Sequence, residues 1–586
     1  MQQRNTFTAI VICLGILIAW QTIMPRVFPE WFPPPPDATE TASPDGGSAA
    51  TKRDAGTPDG GAAVIAASPE SGAPAGEAGE PGEGPEAGAA PEATAKVPAE
   101  RPEEKVVLEN EKIRATFTSK GAAVSSWVLL ADRFEHDGPV EGGAEGETKK
   151  TRVDLVEVDE KEALPFSTTF AELEWEAGAS YEIVKKTESS VTFRATSAGA
   201  TVEKTFSLDP EKPYQLGLAL TVAGDQALSP RVHLARRPPE EKKAGGFFGR
   251  MLNPLPDEIR PSCAYGEEVE RRTYDEDELS FAQTGELRWV GIDSRYFLTT
   301  VFPGEPDPGA GCKLEIPEER RLRASLELPP VQPGSQKNIE GYLGPKFKTQ
   351  LHSYGHDLER SIDFGWFGLL SIFLLYVMNF FQDLVGNWGV SIILLTVTVK
   401  IVLLPLTNWS MKSMEKMRAI SPKMKELKDK YGKDQQRFQQ EMMKMYREEG
   451  VSPFGGCLPM MLQMPIWIAL YRTIYNTAEL YQASFIAGWL DDLSAPEAGV
   501  IKFLPIAMGI TMFLMQKMQP TPNTGDDTQA RMQKTMIYMM PPFFTLIMYG
   551  LPSGLTLYIF VNNVLSIAQQ YWIRRRLAAE TGETKA

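Results

Sequence analysis

Residues 388–406 read WGVSIILLTVTVKIVLLPL, an apolar run with Lys400 set inside it and Thr396 one helical turn earlier. At about 1.5 Å per residue, a helix of this length approaches the roughly 30 Å hydrocarbon core of a bilayer. A cation at that depth costs roughly 2.5–3.5 kcal/mol even on the mildest insertion scale, so it usually faces a wet cavity or a polar partner. The competing reading is snorkelling, because Lys400 is only about six residues, or roughly 9 Å, from the end of the run. Under either reading the stretch belongs to membrane machinery.

Further apolar stretches flank it at 361–385, 457–478, 501–518, 535–550 and 555–573. The connector 411–450 carries eleven Lys/Arg against seven Asp/Glu, whereas 479–500 has acids and no Lys or Arg. The positive-inside bias puts the first in the cytoplasm and the second outside. If 361–385 crossed the membrane, Gly386 and Asn387 alone would separate it from the next span, and the basic connector would be forced outside. We therefore expect 361–385 to lie along the outer interface, its apolar character broken by Asp363, Asn379, Gln382 and Asp383. Five clustered spans follow, ending inside at Arg574, Arg575 and Arg576.

The first 360 residues differ in kind and supply most of the net charge of -16, a poor surface for nucleic acid. Residues 6–24 (TFTAIVICLGILIAWQTIM) follow Arg4 without a small-x-small cleavage site and read as an uncleaved anchor. Ile12 stands before Cys13 where a lipoprotein signal needs a small residue. Residues 33–104, rich in Pro, Ala, Gly and Glu, cannot bury enough apolar surface to offset ordering entropy, and form a tether reaching about 45 Å. From 106 onward the period changes to two: Tyr214, Leu216, Leu218, Leu220 and Val222 alternate with Gln215, Gly217, Ala219 and Thr221, and Ile113/Ala115/Phe117 and Val191/Phe193/Ala195 repeat the pattern. The expectation is a sandwich of antiparallel sheets with a binding or scaffolding role, since no nucleophile, base and acid follow one another in it. Of the four cysteines, Cys263 and Cys312 alone share this region; a disulfide and two free thiols are both open.

The basic connector has apolar residues at Met411, Met414, Met417, Met424 and Leu427 and, after Gly432-Lys433-Asp434, at Phe438, Met442 and Met445, the steps of a two-helix hairpin. Its methionines suit either an ordinary seam or changing partners. Pro459 and Pro465 flank Gln463 in one span and free backbone carbonyls there. Asn562, Asn563, Ser566, Gln569 and Gln570 approximate one stripe of the last span, which by composition reads first as glue between helices.

GNWGVSIILLTVTVKIVLLPLT, QEMMKMY, SPFGGCLPMMLQMPIW, FLMQKMQPT and LPSGLTLYIFVNNVLSIAQQ, together spanning nearly everything after Gly386, closely resemble the YidC/Oxa/Alb membrane protein insertase family in its Gram-negative-type bacterial branch; RWVGIDSRYFL and GYLGP are weaker echoes. The resemblance implies an α-helical polytopic membrane protein with an exported all-β supersandwich. Its parts would be an anchor (1–32), a tether (33–105), the periplasmic β domain (106–350), an interfacial amphipathic helix (351–387), a five-helix insertase core (388–576) with the hairpin 411–450, and a short cytoplasmic tail (577–586). It further implies a hydrophilic groove holding Lys400, Thr396, Gln463 and Asn563, with Lys400 where the family has an arginine; lysine keeps the charge but lacks the planar fork. Leu458, Pro459, Trp467, Phe544 and Ile547 fall on a hydrophobic slide for client helices, and the Tyr-Tyr pair of some relatives is Tyr558-Ile559 here.

Such a protein would insert and help fold client membrane proteins in the inner membrane, alone or with the Sec translocon and ribosome, with both termini cytoplasmic. It would be no enzyme, and neither cofactor, metal nor DNA is expected. Roughly twenty Leu-like residues at about −0.3 to −0.6 kcal/mol each supply some −6 to −12 kcal/mol, enough to offset one or two acidic residues. The absence of GxxxxGK[ST] fits insertion without ATP hydrolysis. The rival readings are a channel or secondary transporter using an intramembrane Lys site, which should carry repeated half-units, and an envelope scaffold.

Overall fold

The computed structural model describes residues 102–139, 148–158, 162–197, 199–237, 259–273, 280–316, 321–432, 434–450, 458–518 and 527–580. The expected anchor, most of the tether and the end of the tail lie outside these residues.

Antiparallel strands fill the region from Lys105 to Pro345. The larger sheet of the described residues has nine, in the order Glu268–Arg271, Arg260–Tyr265, Leu287–Asp293, Phe297–Pro303, Gln336–Pro345, Gln215–Ala223, Ala200–Leu208, Ser190–Ser197 and Glu182–Lys186. A second sheet of five, Ser280–Thr284, Gly311–Glu315, Leu322–Glu327, Pro230–Arg236 and Thr168–Phe170, belongs to the same sandwich. The period-two residues explain the packing. Leu216, Leu218, Leu220 and Val222 are buried, as are Ile113, Ala115, Phe117, Val191, Phe193 and Ala195. Each large apolar side chain so buried contributes about 1.5–3 kcal/mol.

Cys263, in the larger sheet, is bonded to Cys312, in the smaller, with their Cα atoms 6.5 Å apart. This disulfide links the two sheets across a sequence separation of 49.

Nine α-helices occur among the described residues after the last strand: α1 (Lys348–Tyr354), α2 (Gly368–Val385), α3 (Trp388–Ala419), α4 (Ser421–Tyr431), α5 (Gln435–Glu448), α6 (Leu458–Asn476), α7 (Phe503–Met518), α8 (Asp527–Met548) and α9 (Ser553–Glu580). The apolar run at 388–406 continues without a break through Pro405 to Ala419, so the first arm of the basic connector is the end of α3. Proline is tolerated inside such helices at the loss of one backbone bond, here the one to Ile401 O; two residues on, the Thr407 hydroxyl turns back to Leu403 O and Leu404 O, both at 3.1 Å. The hairpin proper is α4 and α5, closed over Met417, Ile420, Met424, Met445 and Tyr446 with Phe438 and Met442 packed against them. Ile420 and Tyr446 join this seam although the methionine spacing did not point to them.

The connector after α6 ties the helices together. Asn387 Nδ2 donates to Phe485 O at 3.0 Å at the start of α3, where the Phe485 ring occupies the space a Cβ on Gly389 would need. Ser553 N and Gly554 N, at the start of α9, donate to Ala495 O and Leu493 O. The Glu497 carboxylate caps α7 by accepting from Phe503 N at 3.0 Å and Leu504 N at 2.8 Å.

Two arginines of the β domain grip the same connector from the other side. Arg133 Nη2 donates to Ala478 O, Glu479 O and Tyr481 O at 3.2, 2.9 and 2.9 Å. Arg295 donates to Tyr475 O at 2.9 Å and Ser494 O at 3.2 Å. Tyr481 stacks on Phe134, lies tilted against Tyr296 and meets Phe297 edge-on.

Helix α2 meets this assembly at both ends. Asn476 Nδ2, in the last residue of α6, donates to Asp363 O at 2.6 Å, and Arg472 pairs with Asp363 at 3.4 Å. One helical turn and more into α2, the Ser371 hydroxyl still reaches Ala469 O at 3.1 Å. At the far end the Ser391 hydroxyl, in the first turn of α3, lies 3.4 Å from Gln382 Oε1. Leu369, Phe373, Tyr376, Phe380 and Leu384 form an exposed apolar stripe on the opposite face.

Two expectations follow. Replacing both Cys263 and Cys312 by Ala removes a cross-link whose loop-closure worth is about 4 kcal/mol, so the denaturant midpoint of the β domain should fall; an unchanged midpoint under oxidising conditions would show that the pair adds no stability. The second concerns Glu479, whose carboxyl burial pushes from 4.5 up to about 7 despite the Lys348 N–H and the Arg133 charge. The docked joint therefore holds a proton that the undocked joint releases, so docking is strongest below 4.5 and weakens as pH rises to 7, by about 3 kcal/mol in all. Spin labels at the exposed positions Val107 and Ile486 should report a broader distance distribution at pH 8 than at pH 5.5, and Glu479→Gln should abolish the difference.

Candidate functional site

The polar residues of the helical region collect on α9. Tyr558, Asn562, Ser566 and Gln570 recur every fourth position, so one face of α9 carries all four. All are buried. Such groups need hydrogen bonds where water is scarce, because each unsatisfied one costs several kcal/mol in hydrocarbon.

Lys400 supplies the first of these bonds. Its Nζ donates to Ser566 Oγ at 2.7 Å, and the same hydroxyl donates to Asn562 O at 2.7 Å. The half-buried ammonium is thus held by a neutral oxygen, and among the described residues it makes no ion pair. An ammonium has three donors, so this contact leaves it able to attract an anion.

Gln463, on α6 two residues before Pro465, donates from Nε2 to the Tyr558 hydroxyl at 2.7 Å. Asn563 lies next to Asn562 on α9 and reaches Thr511 Oγ1 on α7 at 3.5 Å. Further along, Gln569 Nε2 donates to Thr407 Oγ1 at 2.8 Å and Asn408 Oδ1 at 2.9 Å on α3. Helix α9 therefore bonds to α3, α6 and α7, and its polar face is a shared wall. Lys400, Gln463 and Asn563 all meet on this helix, over about 12 Å of its length from Tyr558 to Ser566. Thr396 does not join them: it is fully buried, and its hydroxyl donates to Ile392 O of its own helix at 2.7 Å.

Ser566, Tyr558 and Thr511 are the partners that spacing alone did not assign. Ser566 and Tyr558 stand out in the sequence, one in the polar stripe and one in the Tyr-Ile pair, but Thr511 carries no local signal at all.

The slide positions divide. Leu458 and Pro459 open α6, and their side chains lie outside the described residues. Trp467 is half-buried on α6, with an indole N–H that finds no acceptor among the described residues. Met464 and Ile468 beside it are exposed. Phe544 and Ile547 on α8 are half-buried, with Phe543 exposed next to them. An apolar, outward-facing surface thus accompanies the polar wall.

Comparison with known proteins bears on both halves of the chain. A family profile described as the YidC periplasmic domain matches residues 105–377, and one described as the 60Kd inner membrane protein matches residues 380–580. The membrane protein insertase YidC of Anaeromyxobacter sp. (strain Fw109-5) is 38% identical over 507 residues, covering 84% of this chain and 88% of its own. That of Haemophilus influenzae (strain PittEE) is 43% identical over 295 residues, covering 49% of this chain and 53% of its own. A solved structure described as an active YidC insertase with the first transmembrane domain resolved aligns over 82% of this chain and 95% of that one, at 20% identity and a TM-score of 0.34. With its β domain and helical region each matched, and 38% identity to a relative of which it covers 88%, the chain belongs to the YidC family of membrane protein insertases.

Proposed function

We propose that this insertase receives the polar tail of a client in a groove walled by α9, with Lys400 as the cation that draws acidic groups inward. The observation that carries the reading is the Lys400 contact with Ser566, a charged group whose partner is a neutral hydroxyl. A carboxylate or a carbonyl from a client could add to that contact without displacing an existing ion pair. Gln463 with Tyr558, and Asn563 with Thr511, would line the same wall. Trp467, Phe544 and Ile547, with Leu458 and Pro459 at the start of α6, would guide the apolar segment into lipid. Neither hydrolysis nor redox chemistry is needed, because burial of the client's apolar residues supplies the free energy.

The orientation we infer has five spans, α3, α6, α7, α8 and α9, with the amino anchor before them and both termini in the cytoplasm. By length and composition alone α2 would also pass as a span, with a mean hydropathy of 1.6 over 18 residues. Its contacts support the interfacial reading instead. It starts against the last turn of α6 and ends against the first turn of α3, and those two helix ends share one connector with the periplasmic β domain. A helix whose two ends both lie on that side does not cross. The basic hairpin α4–α5 is then the cytoplasmic face offered to the ribosome and to the Sec translocon, while the exposed apolar stripe of α2 rests in the periplasmic leaflet.

Lys400→Arg should preserve insertion of a short single-span client into liposomes by the purified chain, while Lys400→Glu should reduce it at least about tenfold, because an added anion both repels acidic tails and needs desolvation. Full activity in the Glu variant would remove the electrostatic role. Orientation can be read separately: a single cysteine at Gly432 should resist an impermeant thiol reagent applied to spheroplasts, and one at Asp491 should react. Labelling at Gly432 would reverse the assignment.

A further inference from the structure

A narrow apolar crevice runs between α7 and α8 on the face of α8 away from Phe544 and Ile547. Its volume is about 550 Å³, and it is lined by Ile506, Gly509, Ile510, Phe513, Pro541 and Leu546 among others. Each boundary has an identifiable cause. Gly509 forms the back, where the Thr545 hydroxyl occupies the space a Cβ would take. That hydroxyl donates to Pro541 O at 2.9 Å, so its polarity is turned away from the crevice. The floor is the contact of the Phe513 and Tyr538 rings, with centroids 5.8 Å apart. At the top, Lys502 Nζ donates to Tyr549 O and lies 5.4 Å from the centre of the Tyr549 ring.

Depth and charge identify the occupant. From Tyr549 to Tyr538 the crevice descends eleven residues of chain, about 16 Å if helical, which matches half of a roughly 30 Å hydrocarbon core. Its upper rim adjoins the connector that Arg133 and Arg295 hold to the periplasmic domain. Ile510 and Tyr538 are more than half exposed, so the crevice opens sideways where lipid lies. Lys502 places a cation at headgroup level. The nearby Glu497 carboxylate accepts from Phe503 N, Leu504 N and Trp489 Nε1; its charge also acts on Lys502, but the two form no ion pair among the described residues.

We propose that this crevice binds one glycerophospholipid of the periplasmic leaflet, with one acyl chain between α7 and α8 and its phosphate on Lys502. The inference rests on the periplasmic position of the connector and is independent of the role given to Lys400. A bound chain would fill the space between the Gly509–Thr545 contact and the Phe513–Tyr538 ring contact, and so would support the α7–α8 pair laterally.

The test uses the full chain reconstituted in vesicles of phosphatidylglycerol and phosphatidylethanolamine that contain a phospholipid with a photoreactive acyl chain, followed by native mass spectrometry of the protein in mild detergent. Labelling should concentrate on 506–513 and 538–549, and one phospholipid per chain should persist. Ile510→Trp, which fills the crevice from an exposed position, should remove that lipid. Lys502→Ala should lower its occupancy about five-fold, the worth of one surface cation, and Lys502→Arg should restore it. Ile401→Trp, on the exposed face of α3, is the control and should change nothing. Equal labelling of α2, α3 and the crevice, or lipid retained in Ile510→Trp, would show ordinary boundary lipid and overturn the proposal. Displacement of the label by a client span cross-linked from position 510 would overturn it in favour of a client route.

Discussion

Polar groups inside the helical region must find partners within the protein, and the contact of Lys400 with Ser566 shows how this constraint orders the rest. A lysine on α3 needs an acceptor at its own level, which fixes both the rotation and the height of α9 against α3. With α9 so placed, Gln569 meets Thr407 and Asn408 further along the same interface, and Tyr558 meets Gln463 on α6. Helix propensity alone would allow many relative rotations; the chain of side-chain bonds selects one. Along this face of α9, Tyr558 and Gln569 meet neutral side chains and Ser566 meets the Lys400 ammonium.

Much of this was legible in the sequence, for reasons that can be named. Alternation at 214–222 predicts a strand because a two-residue period leaves one face for the core, and Leu216, Leu218, Leu220 and Val222 are buried. The apolar runs give helices because each is long enough for several turns, although α3, α8 and α9 extend past the apolar ends. The four-residue steps of α9 marked a polar face in advance. What could not be read was pairing at a distance. Lys400 and Ser566 are 166 residues apart, and nothing local to either indicates which hydroxyl lies opposite the ammonium. Thr396 illustrates the converse: its position in the groove was expected from resemblance, yet its hydroxyl serves its own helix.

The joint between the β domain and the helices was the least visible feature. Arg133 stands in a short turn, DRF, with no motif around it, and its partners are main-chain carbonyls of 478–481 that no side-chain pattern reveals. Arg295, within RWVGIDSRYFL, likewise bonds main-chain carbonyls, which that stretch does not reveal. Backbone recognition leaves no compositional trace, so such joints come to light only in three dimensions. Hydropathy gave the apolar run only to Leu406, whereas the helix passes Pro405 and continues to Ala419, because the polar residues that follow still form helix.

Among the described residues the hydrophobic contacts fall into two separate clusters, and this has a thermodynamic meaning. One runs without interruption from the strands through Tyr354 and Ile362 into α2, α3, α6, α7 and α9, whereas Met417, Ile420, Met424, Met445 and Tyr446 form another. Residues in one contiguous cluster gain and lose order together, while separate clusters form separate cooperative units with their own opening free energies. The hairpin can therefore tilt, fray or reorder against a partner while the periplasmic end keeps its full stability. Order in the hairpin is thus set by a small contact set of its own, while the strands and the helices docked to them share one large one.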